Sequence, residues 1–283
     1  MTVLEAIQKS TDFLAKKGVD SPRLQSELLL AHVLKTERLR LYLEFARNLQ
    51  EVQTEALREL VKRRGSREPL QHILGGTSFC GLEIGVNDRV LIPRSETELL
   101  AEEGWKFLNS LKRAATFLDF GTGSGCIAIA LCHFAPASTG CAIDKSEDAL
   151  RVARENAARH KVQDRIAFRV SDAFTGLEPS GRFDLIISNP PYIPATEIPM
   201  LQEEVRQYDP HSALDGGSDG LDFYRLLARE ASRFLAAGGK FLAEFGDGQE
   251  ARITAIFNSM GWTVEAILND YTARPRIISA RLQ

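Results

Sequence analysis

The stretch Asn189-Pro190-Pro191-Tyr192 follows Ser188 and the apolar, β-rich run Phe183-Asp184-Leu185-Ile186-Ile187. That run has the character of a buried strand. Two prolines with no N–H to lend a sheet must end it, and Pro191 holds Pro190 extended. The turn offers acceptors: backbone carbonyls, the Asn189 amide oxygen, and beside them the Tyr192 ring. This set suits a planar NH2 group better than a phosphate. Amide and adenine nitrogens are poor nucleophiles because the lone pair is delocalised into the π system. Two acceptors gripping both N–H bonds favour a tetrahedral nitrogen and aim its lone pair at an electrophile. Asn189 through its side-chain oxygen and Pro190 through its carbonyl are the candidates, with Pro191 beside them and Tyr192 stacking on the planar group. No strong base is needed, since the proton becomes acidic once the nitrogen carries its new bond.

A second constellation is Asp119-Phe120-Gly121-Thr122-Gly123-Ser124-Gly125, placed after an expected strand and opening a helix. Glycines there allow a tight turn and let a ligand lie against the backbone. Asp144 ends the next strand, 19 residues after Gly125, where an acid binds ribose hydroxyls. The spacing is GxGxG, not the GxGxxG that seats a pyrophosphate on a helix N-terminus. A carboxylate at Asp119 repels a pyrophosphate but suits the ammonium and sulfonium of S-adenosylmethionine. On this reading Gly121, Thr122, Gly123, Ser124, Gly125 and Asp144 bind the cofactor. Asp172 accepts from the adenine amino group, Ala173 supplies backbone contact, and Asn189 borders cofactor as well as substrate.

The elements that must position these groups alternate. Strands are expected at 116–120, 140–144, 166–170, 183–188, 240–244, 263–268 and 276–282, with helices at 127–134, 147–159, 224–234 and 249–260. Such alternation implies right-handed crossovers and a mostly parallel, doubly covered sheet. The last two strands are too close for a crossover and should pair antiparallel. Ligands collect at the carboxyl ends of central strands, so the glycine loop and the Asn-Pro-Pro-Tyr turn should face one crevice. Residues 1–70 read as helices: a Thr2-x-x-Glu5 capping box, Ser21-Pro22 as N-cap and first-turn proline, a third helix over 38–45, and a fourth with Val52, Ala56, Leu57, Leu60 and Val61 on one face. Lys62-Arg63-Arg64 suits the C-terminal end of that fourth helix, with contact to RNA or an acidic partner as the alternative. Over 71–92 the period changes to two, as in a β-hairpin linker, and 93–283 forms the α/β domain.

Composition excludes several classes. With 44% hydrophobic and 26% charged residues the chain is an ordinary globular one, and no apolar run approaches the roughly 20 residues of a membrane span. Cys80, Cys126, Cys132 and Cys141 lack metal-site spacing, so no metal is expected and the thiols suit a reducing, cytoplasmic setting. Residues 1–72 carry 13 Lys+Arg against 10 Asp+Glu, net +3; the rest carries 22 against 28, net −6. That acidity argues against a surface that wraps DNA.

The glycine loop followed by Asn-Pro-Pro-Tyr resembles class I, S-adenosylmethionine-dependent amino-group methyltransferases, a motif shared by adenine-N6 DNA and glutamine-N5 protein methyltransferases. Three further features resemble the release-factor glutamine methyltransferases (the HemK/PrmC family). They are Ile92-Pro93-Arg94-Ser95-Glu96-Thr97-Glu98; Glu204-Val205-Arg206-Gln207-Tyr208-Asp209-Pro210 with Ala213–Gly217 and Asp219–Arg225; and the helical first 70 residues. The resemblance implies a Rossmann-like domain with a seven-stranded sheet, and methylation of the glutamine of a Gly-Gly-Gln tripeptide in peptide chain release factors. S-adenosylhomocysteine would be the product, and the protein would act as a monomer with its helical region engaging the protein substrate. A ribosomal-protein glutamine is the nearer alternative substrate, adenine in DNA the more distant, and a non-catalytic module would have lost Asn189 or the glycines. Ser95 stands where the family often has proline, and Ala173 where an aromatic is common, with Phe174 as a substitute. The long segment 193–222 reads as a lid or substrate-contacting loop. Residues 93–98 either cap the following helix or close over the methionine end of the cofactor.

Overall fold

In the computed structural model, which describes residues 1–178 and 181–282, helices come first: α1 (Val3–Lys16), α2 (Pro22–Leu34), α3 (Glu51–Gly65) and the short α4 (Leu70–Leu74). A hairpin of β1 (Gly76–Phe79) and β2 (Leu82–Gly85) precedes α5 (Ser95–Ser110). Strands and helices then alternate: β3 (Ala115–Phe120), α6 (Cys126–Phe134), β4 (Ser138–Asp144), α7 (Glu147–Arg159), β5 (Ile166–Val170) and β6 (Phe183–Ser188). After these come α8 (Glu203–Tyr208), α9 (Asp222–Glu230), β7 (Leu235–Glu244), α10 (Glu250–Ser259), β8 (Trp262–Asn269) and β9 (Pro275–Leu282). The chain divides into two compact units, Met1–Gly76 with Gln202–Tyr208, and Thr77–Leu201 with the residues from Asp209 onward.

In the first unit the Thr2 hydroxyl accepts from the Glu5 N–H and the Glu5 carboxylate from the Thr2 N–H, closing the capping box. Val3, Ile7, Leu14, Leu29, Leu30, Leu57 and Val61 form its core. Three local expectations fail. Ser21 makes no side-chain cap, because its backbone is left-handed at φ 48°, which turns the hydroxyl away from the helix start. The third helix is a 3-10 run, Arg38–Leu43, that buries only Leu41; one buried side chain is too little to sustain longer α-helix. The hairpin expected from residue 71 begins later, because Leu70–Leu74 make a short helix between Pro69 and a left-handed Gly75. Of the basic cluster, Arg63 forks onto Glu68 at 2.6–2.8 Å, while the buried Arg64 donates to Gln25, the Glu68 carbonyl and Glu204. Arg64 thereby links α3 to α2 and to the segment 202–208 of the same unit.

The second unit is built on a seven-stranded sheet of order β5-β4-β3-β6-β7-β9-β8. All pairs are parallel except β7 with β9 and β9 with β8. Pleating sends alternate side chains to opposite faces: Leu185 and Ile187 pack under α5 and α6, and Ile186 joins Tyr224, Phe241 and Trp262 under α9 and α10. Each face is thereby a dry core. Strand order reverses at β3: β4 and β5 are added on one side and β6 and β7 on the other, all parallel to it, which is where an open sheet leaves a crevice. No helix among the described residues is long and apolar enough to cross a membrane.

Candidate active site

Strand register brings the two constellations together. Phe120 pairs with Ile143 of β4 and with Ser188 of β6, so Gly121, Asp144 and Asn189 each follow at the carboxyl end of adjacent strands. A cavity of about 330 Å³ opens there, lined by Gly121, Gly123, Asp144, Asp172, Ala173, Asn189, Pro190 and Pro191 among others. Its size is that of a small-molecule site.

The loop after β3 is held from behind. The Gly121 and Thr122 N–H groups donate to the Ile143 carbonyl at 2.9 Å, and the Gly123 N–H donates to Asp144 Oδ2 at 3.0 Å. Asp144 Oδ1 accepts from the Ser146 N–H at 2.9 Å, opening α7. Gly121 and Gly123 sit at φ +72° and +53°, and nothing lies within 4 Å of where a Cβ would stand. The backbone is thus laid bare toward the cavity, as a ligand cradle requires. Gly125 is different: a Cβ there would come 3.0 Å from that of Ala153, so this glycine lets α7 pack. Thr122 and Ser124 are buried and do not line the cavity; the Ser124 carbonyl accepts from Asn156 at 2.9 Å. Five expected cofactor positions therefore split into two that face the cavity and three that build the loop.

Asp119 corrects the charge argument. It is fully buried, and its Oδ2 accepts from the Thr122 hydroxyl at 2.6 Å and the Ala128 N–H at 3.2 Å. Burial lifts its carboxyl to about 7 against those two hydrogen bonds. It pins the loop rather than facing a ligand. The acidity of the cavity comes instead from Asp88, Asp144, Asp148 and Asp172, set against Arg89 and Lys145. That balance still opposes a pyrophosphate and favours a cation.

On the opposite wall, Asn189 Nδ2 donates to Thr97 Oγ1 at 3.0 Å, leaving Oδ1 as the acceptor for a ligand. Pro190 and Pro191 line the same wall. Tyr192 does not: its half-buried ring packs against the core cluster that includes Tyr224 of α9, its hydroxyl lies 3.4 Å from Glu244 Oε1, and its carbonyl accepts from Gln249. The aromatic faces at the cavity are Phe120 and Phe223. Ala173, left-handed at φ 52°, lines the cavity, whereas Phe174 stacks on Phe234 in the core.

Residues 92–98 do not line the cavity; Asp88–Leu91 do. Ser95 begins α5, Glu98 accepts from the Cys80 N–H at 2.7 Å, and Arg94 donates to Asp209 at 2.7 Å. Asp209 is buried, which raises its carboxyl to about 6 against the pull of Arg94. The long loop after Tyr192 is closed at its base, with Ile193 bonded to Leu214 and Gly216. It delivers Pro210, Ser212 and Ala213 to the cavity. Gly220 has no alternative there, since at φ +76° a Cβ would run into the Tyr192 carbonyl.

Residues 5–75 match the PrmC N-terminal domain model and residues 98–205 the methyltransferase small domain model. A release factor glutamine methyltransferase of Geobacter sulfurreducens is 42% identical, over 99% of this chain and 97% of its own length. One from Chlorobaculum tepidum is 40% identical over 100% of this chain and 98% of its own. Among solved structures, a ribosomal protein L11 methylase from Lactobacillus delbrueckii superimposes with a TM-score of 0.52 at 20% identity, over 71% of this chain and 85% of that one, which is a likeness of fold. The catalytic unit is a class I methyltransferase domain, and the chain belongs to the release factor glutamine methyltransferase family.

Proposed function

We propose that this protein methylates the side-chain amide nitrogen of the glutamine in the Gly-Gly-Gln tripeptide of peptide chain release factors, with S-adenosylmethionine as donor. The observation that carries the reading is the register by which Gly121 and Asn189 follow the ends of neighbouring strands at one acidic cavity. S-adenosylmethionine supplies an electrophilic methyl group on a sulfonium and departs as S-adenosylhomocysteine. Gly121 and Gly123 lay backbone against it, Asp144 accepts from its ribose, and the Asp172–Ala173 turn borders its adenine. Asn189 Oδ1 and the Pro190 carbonyl accept the two N–H bonds of the substrate amide. That grip draws the nitrogen out of conjugation and orients its lone pair. The proton left on the methylated nitrogen is acidic and passes to water, so no residue of this chain need act as a strong base. The helical first unit, with the segment 202–208, engages the release factor, and the enzyme works in the cytoplasm.

Incubation with methyl-labelled S-adenosylmethionine, offering release factor, ribosomal protein and DNA side by side, tests this. Label is expected in the Gly-Gly-Gln glutamine; label in ribosomal protein or DNA alone would replace the substrate assignment.

A further inference from the structure

Asn189 presents a nearly symmetrical group: its amide oxygen and nitrogen have almost the same size, and only one of them accepts. The proposed grip on the substrate NH2 works with Oδ1 toward the cavity and fails with Nδ2 there, where donor would meet donor. Something must set the rotation. Asn189 Nδ2 donates to Thr97 Oγ1 at 3.0 Å, and the Thr97 hydroxyl donates to Glu244 Oε2 at 2.7 Å. Thr97 and Glu244 are 3% and 2% exposed. They come from the first turn of α5 and the end of β7, far in sequence from the turn they serve.

The hydroxyl has a single proton. A carboxylate only accepts, so that proton goes to Glu244, and what Thr97 shows Asn189 is a lone pair. A lone pair can be met only by Nδ2. Glu244 is itself fixed: its other oxygen lies 3.4 Å from the Tyr192 hydroxyl, and its carbonyl accepts from the buried Tyr224 hydroxyl at 2.7 Å.

We propose that Thr97 and Glu244 are positioning residues that lock the Asn189 amide with Oδ1 toward the substrate nitrogen. The inference rests on the methyl-transfer reading above and adds to it the device that orients the acceptor. It also gives the Tyr192 hydroxyl a place, at the far end of the relay rather than on the substrate.

The test compares Thr97→Val, Thr97→Ser and Glu244→Gln with the wild type at about pH 8, above the value of about 7 to which burial lifts Glu244. The readouts are kcat on release factor with saturating S-adenosylmethionine, and the Kd of S-adenosylhomocysteine. Thr97→Val should lower kcat by about 10- to 100-fold, the scale of a misplaced positioning group, with Kd unchanged, and Thr97→Ser should restore it. Wild-type kcat in Thr97→Val overturns the proposal. So does equal damage by Thr97→Ser, which would mean that packing and not the hydroxyl matters. If Thr97→Val does not fold, Glu244→Gln decides: its amide can donate to Thr97 and turn the hydroxyl proton onto Asn189, favouring the wrong rotamer. Loss of kcat with intact cofactor binding then supports the relay, and wild-type kcat refutes it. Failure of the wild type itself to methylate release factor overturns the substrate reading instead, so the two outcomes are distinct.

Discussion

Asp144→Asn should weaken binding of S-adenosylhomocysteine while leaving the fold in place. In the native protein one carboxylate oxygen accepts from Gly123 N–H at 3.0 Å and the other from Ser146 N–H at 2.9 Å. Each oxygen has two lone pairs, so each retains capacity for a ribose hydroxyl after holding the loop. An asparagine has one such oxygen, and its NH2 must confront one of the two backbone donors whichever way it turns. The variant therefore loses a ribose acceptor and slackens one end of the loop. A hydrogen bond to a charged group contributes about 1.5–3 kcal/mol, which is about 10- to 150-fold in Kd. Isothermal titration with S-adenosylhomocysteine measures it. Asp148→Asn is the control, removing the same charge from the same cavity without those backbone bonds, and should change Kd by less than about threefold because an exposed charge is screened. Equal losses in the two variants, or none in Asp144→Asn, would refute the assignment of Asp144 as the ribose-binding carboxylate.

Three further predictions concern the acceptor, the buried acid and the first unit. Asn189→Ala should lower single-turnover methylation by about 100-fold or more with S-adenosylhomocysteine affinity nearly unchanged; a wild-type rate would remove the amide grip from the mechanism. Asp119 has its carboxyl raised from 3.8 to about 7 by burial. The folded state therefore holds a proton that the unfolded chain releases, and the stability this carries is complete below about pH 4 and lost as pH rises through about 7. Melting temperature should accordingly fall from pH 5.5 to pH 8 by an amount that Asp119→Asn reduces, and an identical slope in the variant would contradict the buried, protonated carboxyl. Glu204→Ala removes the carboxylate that receives Arg64 and Arg67 at 2.7 and 2.6 Å. With Arg64 buried, the loss should reach about 3 kcal/mol in urea unfolding, and an unchanged midpoint would show that the pair contributes nothing.

The strand and helix order was legible because a parallel sheet demands apolar runs at regular spacing, and the glycine loop and Asn189 were legible because turns at strand ends use a small vocabulary. Their adjacency also followed, from topology alone. What sequence pattern does not carry is which way a polar side chain faces. Asp119 stands on the strand just before the glycine loop and was expected to meet the ligand, yet the pleat and the following turn fold it under Thr122 and Ala128. Tyr192 was expected on the substrate, but it does not line the cavity and its half-buried ring packs against the core. Conversely, Asp88–Leu91 and Pro210, Ser212 and Ala213 reach the cavity from connecting segments whose pattern does not mark them as lining, and Thr97 meets Asn189, and Glu244 meets Thr97, across intervals that no local spacing reveals. Ser21 shows the same limit at short range: the residue type suits an N-cap, but its backbone at φ 48° does not.

The four aspartates around the cavity bear on turnover as well as on recognition. A sulfonium is positive and the thioether left after transfer is neutral, so the reaction itself removes the charge those carboxylates attract. In the proposed reaction Coulombic attraction would hold the donor and release its hold on the by-product in the same event. On that reading the acidic lining would bias occupancy toward unspent donor, and salt, by screening it, should narrow the difference in affinity between the two.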